Sequence, residues 1–249
     1  MHYTELFDDR SDLYARARPS YPPALFRFLA EQCRATERTW DCACGSGQSA
    51  VDLVRYFDRV DATDVSPNQI AHALRHPRIA YAVGPSEKTA FQAGRFDLVC
   101  VAQALHWMRF DAFWPEVKRV LKPDGLFAAW GYSWTRIEPE IDRRIQTHLL
   151  DVIEPYWAEQ NRLLWHHYRD VAMPFESIEA PAFAMETEWT LGELMAYLHT
   201  WSSTRRCIDA KGDGFLDTLV HEVADVWGDP AQSKPVAFDF CCIAGRSRG

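Results

Sequence analysis

Apolar positions recur with a helical period over 22–33, and the chain then alternates between short strand-like runs and helical stretches through its first half. A strand-like run at 39–43 leads through a glycine-rich turn into a helix at 48–57. A strand at 60–63 follows, then a helix opened by Ser66 and Pro67 and a strand at 79–83. Ser-Pro starts a helix well, because the hydroxyl can cap a free N–H and proline lacks one that would otherwise be unpaired. Residues 96–102 form a continuous apolar run with β-branched members, as suits a parallel strand buried on both faces. A helical pattern at 111–121 ends at Lys122-Pro123-Asp124-Gly125, and 126–130 reads as a fifth strand.

Five strands with intervening helices predict a parallel sheet covered on both faces, since each right-handed crossover lays a helix on one side or the other. The rhythm breaks after Tyr132. Residues 139–168 read as helical and rich in aromatic and basic side chains. A strand at 183–189, helices at 191–201 and 214–227, and a closing strand at 236–244 complete the pattern. The expected fold is therefore α/β, a doubly wound and mostly parallel seven-stranded sheet. Residues 1–249 read as one domain: an N-terminal segment 1–21, a ligand-binding half 22–131, a helical cap insertion 132–180 and a part completing the sheet at 181–249.

Composition narrows the function classes. A chain of 249 residues with 47% hydrophobic and 25% charged residues is neither disordered nor fibrous. Its net charge of -8 argues against a protein that grips a nucleic-acid backbone. No run approaches the roughly 18 apolar residues of a membrane span, and the first ten residues lack a secretory pattern. A cytoplasmic protein with neither nucleic acid nor membrane as a partner is expected; nothing in the sequence sets its oligomeric state. Seven cysteines, an odd count without a CxxC pair, read as reduced core thiols, so no metal site is expected. Seven of the ten tryptophans lie from Trp130 onward, which suits either core packing or aromatic walls.

The first strand runs into Asp41-Cys42-Ala43-Cys44-Gly45-Ser46-Gly47-Gln48, placing glycines where the chain turns from strand to helix. In a doubly wound sheet that turn lies at the carboxyl ends of the strands, where ligands bind beside the topological switch point. Asp64 ends the second strand 17 residues past Gly47, a place from which a carboxylate can accept both hydroxyls of a ribose. A nucleoside-type cofactor follows. Gly45-Ser46-Gly47-Gln48-Ser49-Ala50 also satisfies the dinucleotide fingerprint, so NAD competes at this point. Asp41 favours the other side: an acid just before the turn opposes a pyrophosphate and suits a cationic amino group.

The chain here resembles the class I S-adenosylmethionine-dependent methyltransferases, whose pattern is an acidic residue, a glycine-rich turn and an acidic strand end. Val60-Asp61-Ala62-Thr63-Asp64-Val65-Ser66-Pro67-Asn68-Gln69-Ile70 is similar to the family's second motif. Gly84-Pro85-Ser86-Glu87 is similar to its adenine loop, and Leu121-Lys122-Pro123-Asp124-Gly125-Leu126 to its post-helix turn. Residues 14–22, Ala102-Gln103-Ala104-Leu105-His106-Trp107 and Tyr197-Leu198-His199-Thr200-Trp201-Ser202 resemble the small-molecule branch that includes trans-aconitate methyltransferase-like proteins.

The resemblance implies S-adenosylmethionine as cofactor, released as S-adenosylhomocysteine. It implies that Asp41 and the backbone of Ala43, Cys44 and Gly45 face the methionine moiety, with Gly47 completing the turn, and that Asp64 holds the ribose. Val65 and Gln69 would flank the adenine, Ser86 and Glu87 would edge it, and Ala102 with Gln103 would close the site beside the sulfonium. Tyr14 and Arg18 would fold over the methionine end, making 1–21 an N-terminal helical lid. Two departures stand out: Ala43 replaces the usual first glycine and is tolerable with a negative φ, and Pro85 replaces a residue that is often polar.

Methyl transfer by in-line displacement chiefly demands alignment and a dry site. The aromatic segment at 130–165 is the candidate lid over it. His106 is the candidate catalytic group, and His106, Trp107 and Trp134 are the candidate acceptor contacts. No acid–base pair accompanies His106, which favours an acceptor already ionised at neutral pH, such as a carboxylate with a pKa of about 4, over a phenol of about 10. A small, anionic, carboxylate-type acceptor is expected. The loop Ala102-Gln103-Ala104-Leu105 also lacks the Asp/Asn-Pro-Pro-aromatic pattern of enzymes that methylate DNA-base amines. An NAD-dependent oxidoreductase and a non-catalytic S-adenosylmethionine-binding protein remain the alternatives.

Overall fold

The computed structural model describes residues 18–248. Tyr14 and the rest of the expected N-terminal lid up to residue 17 lie outside the described residues. Contacts divide the described residues into two compact units, a sheet unit of Tyr21–Ser133, Arg162–Phe183 and the residues from Phe240 on, and a second unit of Trp134–Asn161 and Ala184–Asp239 with the described residues before Tyr21.

In the sheet unit, α1 (Pro23–Gln32) opens with proline in its first turn and buries Leu25, Phe26 and Leu29 along one stripe. Then come β1 (Arg38–Cys42), α2 (Gln48–Leu53), β2 (Arg59–Asp64), α3 (Pro67–Ala71), β3 (Ile79–Val83), β4 (Phe96–Ala102), α4 (Phe110–Val120) and β5 (Leu121–Arg136). After the helical segments comes α6 (Asn161–Trp165), preceded by α5 (Pro139–Ile145) of the second unit, and then β6 (Glu176–Ile178). The second unit also holds β7 (Glu186–Trp189), α7 (Leu191–His199), α8 (Ser202–Lys211) and α9 (Gly214–Trp227), before β8 (Lys234–Arg246).

The strands lie in the order β3-β2-β1-β4-β5-β8-β6, with β7 paired to β8 off that path. The first five are parallel, and β6 and β7 are each antiparallel to β8. The order reverses between β1 and β4, so the turns after both strands open at one carboxyl edge. Alternation along β5 covers both faces of the sheet. Phe127 packs against Phe113, Trp114 and Phe175, whereas Trp130 meets Tyr21 and Phe26. This is the doubly wound α/β architecture expected from the alternation of elements.

Several boundaries differ for local reasons. The sheet has eight strands instead of seven, because three-residue β6 is too short to show an alternating pattern. β5 starts at Leu121, since Leu121 pairs with Phe96 before a register shift that absorbs the Lys122–Gly125 turn. α2 stops at Leu53, where turn bonds from Arg55 to Asp52 and from Tyr56 to Leu53 take over. α8 is absent from the hydrophobic pattern because it buries Ser203, Thr204 and Cys207, with no large apolar residue. All seven cysteines are free, five of them buried.

Asp97 shows how an acid in a strand can be structural. It accepts hydrogen bonds from the backbone of Glu37 and Arg38 at 3.0 and 2.9 Å and pairs with Lys122 at 2.8 Å. These contacts pin the amino ends of β1 and β4, leaving their carboxyl ends to the site.

Candidate functional site

The turn after β1 is built by backbone bonds and one carboxylate. Cys44 N–H donates to the Thr63 carbonyl and Gly47 N–H to the Cys44 carbonyl, both at 2.9 Å. Asp64 accepts from Gly45 N–H at 2.9 Å through one oxygen and from Ser66 N–H at 2.8 Å through the other. The acid that ends β2 therefore holds the glycine turn in place. Gly47 has φ of 84°, and a Cβ there would sit 2.1 Å from the Tyr81 hydroxyl, so a glycine is required by both conformation and space. Ala43 also lies in the left-handed region, with φ of 56°, which does not meet the negative-φ condition under which alanine is tolerable. Its Cβ costs about 1–2 kcal/mol there, a strain the surrounding bonds must offset.

Asp41 sits at the centre of the sheet, in register with Ala62 on β2 and Cys100 on β4, and is wholly buried. Its Oδ2 has no hydrogen-bond partner among the described residues. Burial, with the charge of Asp64 adding to it, pushes the carboxyl pKa up to about 7, while a hydrogen bond from the Ala50 backbone works the other way. Such a group lacks a cation. Because its folded pKa lies above the unfolded 3.8, the protonated form contributes stability that is lost as pH rises through about 7.

Beyond the turn, apolar side chains stand in the open. Val65 follows β2 and Val83 ends β3 opposite Asp64, and they are 68% and 53% exposed. Gln69 lies on α3, which Ser66 caps through its hydroxyl. Ser86 is buried and hydrogen-bonded to the Cys42 thiol, and Glu87 pairs with Arg109 at 3.5 Å. An acid at the β2 end, two exposed valines, a strained glycine turn and an orphaned buried carboxylate fit a ligand with a ribose, an apolar ring and an amino group. S-adenosylmethionine has all three.

The loop after β4 forms the other side of the sheet's carboxyl edge. Ala102 ends the strand, and Gln103 takes a left-handed φ of 56°. The Gln103 side chain clasps the backbone of Tyr132, donating to its carbonyl at 3.0 Å and accepting from its N–H at 2.9 Å. Its amide is thereby committed to β5. His106 is buried in a short 3-10 turn, with Nδ1 3.1 Å from the Tyr168 hydroxyl. Burial lowers its pKa to about 4. Trp107, 48% exposed, lies beside the His106 ring at 4.9 Å.

Two expected site residues belong to the second unit. Arg18 is exposed at the start of the described chain. Trp134 packs edge-on against Trp157 and Trp201, at 6.1 and 6.2 Å between ring centroids. The structure also brings in residues the sequence did not single out, Tyr81 against Gly47 and Tyr168 against His106. Tyr81 carried no spacing signal, and Tyr168 lies 62 residues from the histidine it touches. Among the described residues no group of three His, Cys, Asp or Glu side chains could hold a metal ion. No helix among them is long and apolar enough to cross a membrane.

A doubly wound sheet with a glycine turn after β1, an acid closing β2 and the orphaned carboxylate of Asp41 before the turn fits the Rossmann-like methyltransferase fold. Comparison with known proteins agrees. A family model described as a methyltransferase domain matches residues 40–129. A protein of Dictyostelium discoideum assigned as a methyltransferase is 28% identical over 246 residues, covering 94% of this chain and 92% of that protein. An uncharacterized methyltransferase of Mycobacterium tuberculosis is 32% identical over 62% of this chain and 68% of its own length. A solved structure from Anaeromyxobacter dehalogenans, assigned as a type II methyltransferase, matches with a TM-score of 0.87 at 36% identity, covering 93% of this chain and 98% of that one. The chain belongs to the class I S-adenosylmethionine-dependent methyltransferases. Its cofactor is S-adenosylmethionine, and the NAD-dependent alternative is set aside.

Proposed function

We propose that this methyltransferase acts on a small, carboxylate-type anion. The observation that carries the reading is the state of His106, the ionisable group of the loop after β4. Burial holds it neutral, with a pKa of about 4, and no carboxylate is hydrogen-bonded to it among the described residues. A base that weak is badly matched to taking a proton from a phenol or an alcohol. A carboxylate needs no such help.

S-adenosylmethionine supplies, when bound, a methyl group on a sulfonium whose positive charge disappears as the new bond forms. The protein's share is positioning, which can account for up to about 7–11 kcal/mol of a barrier. In this reading Asp64 accepts the ribose hydroxyls while continuing to hold Gly45 and Ser66. Asp41 and the Ala43, Cys44 and Gly45 backbone receive the methionine end, with Gly47 closing the turn. Val65 and Gln69 flank the adenine, which Ser86 and Glu87 edge, and Ala102 with the Gln103 backbone borders the sulfonium. His106 and Trp107 lie on the acceptor side.

Asp41 gives this arrangement a measurable signature. A cationic amino group against its carboxylate favours ionisation, so at pH 6.5 binding drives a proton off a group that titrates near 7. Affinity for S-adenosylhomocysteine is expected to rise from pH 6 to pH 8. Calorimetry at pH 6.5 in buffers of different ionisation heat should register net proton release, and net uptake would rule Asp41 out as the partner of the amine.

The acceptor class is tested with S-adenosyl-[methyl-14C]methionine and a panel of small carboxylic acids, phenols and amines. Label in an acid, released by mild base as an ester would be, is the expected result. Label confined to phenols or amines would refute the carboxylate assignment.

A further inference from the structure

A buried polar pair joins the loop after β4 to the turn after α6, and methyl transfer to a carboxylate does not by itself require it. His106 is 6% exposed and Tyr168 is 1% exposed, and their rings lie nearly parallel, 21° apart with centroids at 6.2 Å. The only hydrogen bond either side chain makes among the described residues is the one between them, 3.1 Å from Nδ1 to the phenol oxygen. The backbone that carries Tyr168 closes α6, with Tyr168 N–H donating to the Leu163 carbonyl at 2.7 Å and His167 N–H to the Leu164 carbonyl at 2.8 Å. His167 and Tyr168 are left-handed there, with φ of 55° and 56°, and this turn sets the direction from which the phenol meets His106. Burying the ring alone would be served by phenylalanine, so the hydroxyl is the part that needs a reason.

The phenol is the more constrained partner. Burial raises its pKa well above the ordinary value, so it keeps its proton, and a buried O–H must donate to something. No hydrogen bond from the phenol to any other acceptor is found among the described residues. The bond must therefore run from the Tyr168 O–H to a lone pair on Nδ1. A neutral imidazole has one donor and one acceptor nitrogen, and with Nδ1 accepting, the ring proton is on Nε2.

We propose that Tyr168 is a positioning residue that fixes His106 as the Nε2–H tautomer, making the imidazole a hydrogen-bond donor to an oxygen of the methyl acceptor and denying it the role of general base at Nε2. The inference rests on the proposed acceptor reading only for the identity of the molecule that receives the bond. The tautomer follows from this chain alone. It specifies an acceptor that presents an oxygen lone pair to His106, as an anion or carbonyl does, and it makes Tyr168 a determinant of that preference.

Histidine nitrogen NMR reads this without any acceptor. Full-length protein labelled with 15N-histidine is examined at pH 7, with His106 assigned by the signal lost in His106→Gln. The expected spectrum has a protonated Nε2 and a lone-pair Nδ1, and Tyr168→Phe should increase the Nδ1-protonated form severalfold. A proton on Nδ1 in the wild type, or an unchanged tautomer in Tyr168→Phe, overturns the proposal. If Tyr168→Phe does not fold, the wild-type spectrum decides alone. With an acceptor from the labelling panel, His106→Ala is expected to raise its KM more than tenfold with a smaller change in kcat, as loss of a binding donor does; a loss confined to kcat would instead mark a base and contradict the donor role. A panel that labels no acid would refute the carboxylate assignment and leave the tautomer result standing.

Discussion

Asp64→Ala is expected to weaken S-adenosylhomocysteine binding by more than tenfold while leaving the melting temperature within a few degrees of wild type. The carboxylate already accepts from Gly45 N–H and Ser66 N–H, one bond to each oxygen. Each oxygen keeps a further lone pair for a ribose hydroxyl. A hydrogen bond to a charged group contributes about 1.5–3 kcal/mol net, and about 1.4 kcal/mol is tenfold in affinity. Loss of two such bonds, with a loosened glycine turn besides, exceeds tenfold comfortably. Stability should suffer little, because Asp64 is only half-buried and water can reach the two freed N–H groups. Calorimetry beside a thermal melt checks both parts, and unchanged affinity in a folded variant would remove Asp64 from the cofactor site.

Gly131→Ala should cost about 3 kcal/mol of stability, combining overpacking in a filled core with a damaged buried hydrogen bond. A Cβ at Gly131 would lie 2.4 Å from the Gln103 Oε1 and 2.6 Å from a Leu164 methyl. Leu164 belongs to the central apolar cluster, and Gln103 Oε1 accepts the Tyr132 N–H. The new methyl must displace one or both. For a chain of this size the melting temperature should fall by roughly 6–12 °C, at about 2–4 °C per kcal/mol. Gly192→Ala is the matched control, since nothing lies within 4 Å of a Cβ there. A Gly131→Ala melt no lower than that of the control would show that the Gln103 clasp can move freely.

These expectations show which parts of the molecule the sequence could disclose. Asp41, Gly47 and Asp64 are legible because a strand, a sharp turn, a helix and a second strand fix their spacing, and apolar periodicity locates each element. The buried strand β4 is legible with its bounds intact, since a continuous β-branched run of seven residues suits a strand covered on both faces and is too short for a buried helix. α8 is illegible because it buries small and polar side chains, and β6 because three residues carry no period. The sequence places Gln103 beside the sulfonium, yet its amide is taken by the Tyr132 backbone, a contact 29 residues distant that no local pattern encodes. The same limit hides the partnership of Tyr168 with His106. The two side chains are 62 residues apart, and the turn that ends α6 brings the phenol to the loop after β4.

Two of the five left-handed non-glycine residues among the described residues lie at the carboxyl edge of the sheet. Ala43 and Gln103, both left-handed, directly follow the strands β1 and β4, which border the proposed cofactor position. Asp41 adds a second cost, a carboxyl buried without its full complement of partners. Residues held in such states persist when surrounding structure over-determines them, and they concentrate at ligand sites. On the proposed assignment of these residues, the fold gives up some stability in the free protein to prepare a place for a cationic ligand.

The most direct test of the cofactor site is a crystal structure with S-adenosylhomocysteine bound. Both ribose hydroxyls should lie within hydrogen-bonding distance of the Asp64 carboxylate, with the adenine between Val65 and Gln69 and the sulfur beside Ala102. A ribose held elsewhere, with Asp64 bonded only to Gly45 and Ser66 as it is in the free protein, would contradict the account.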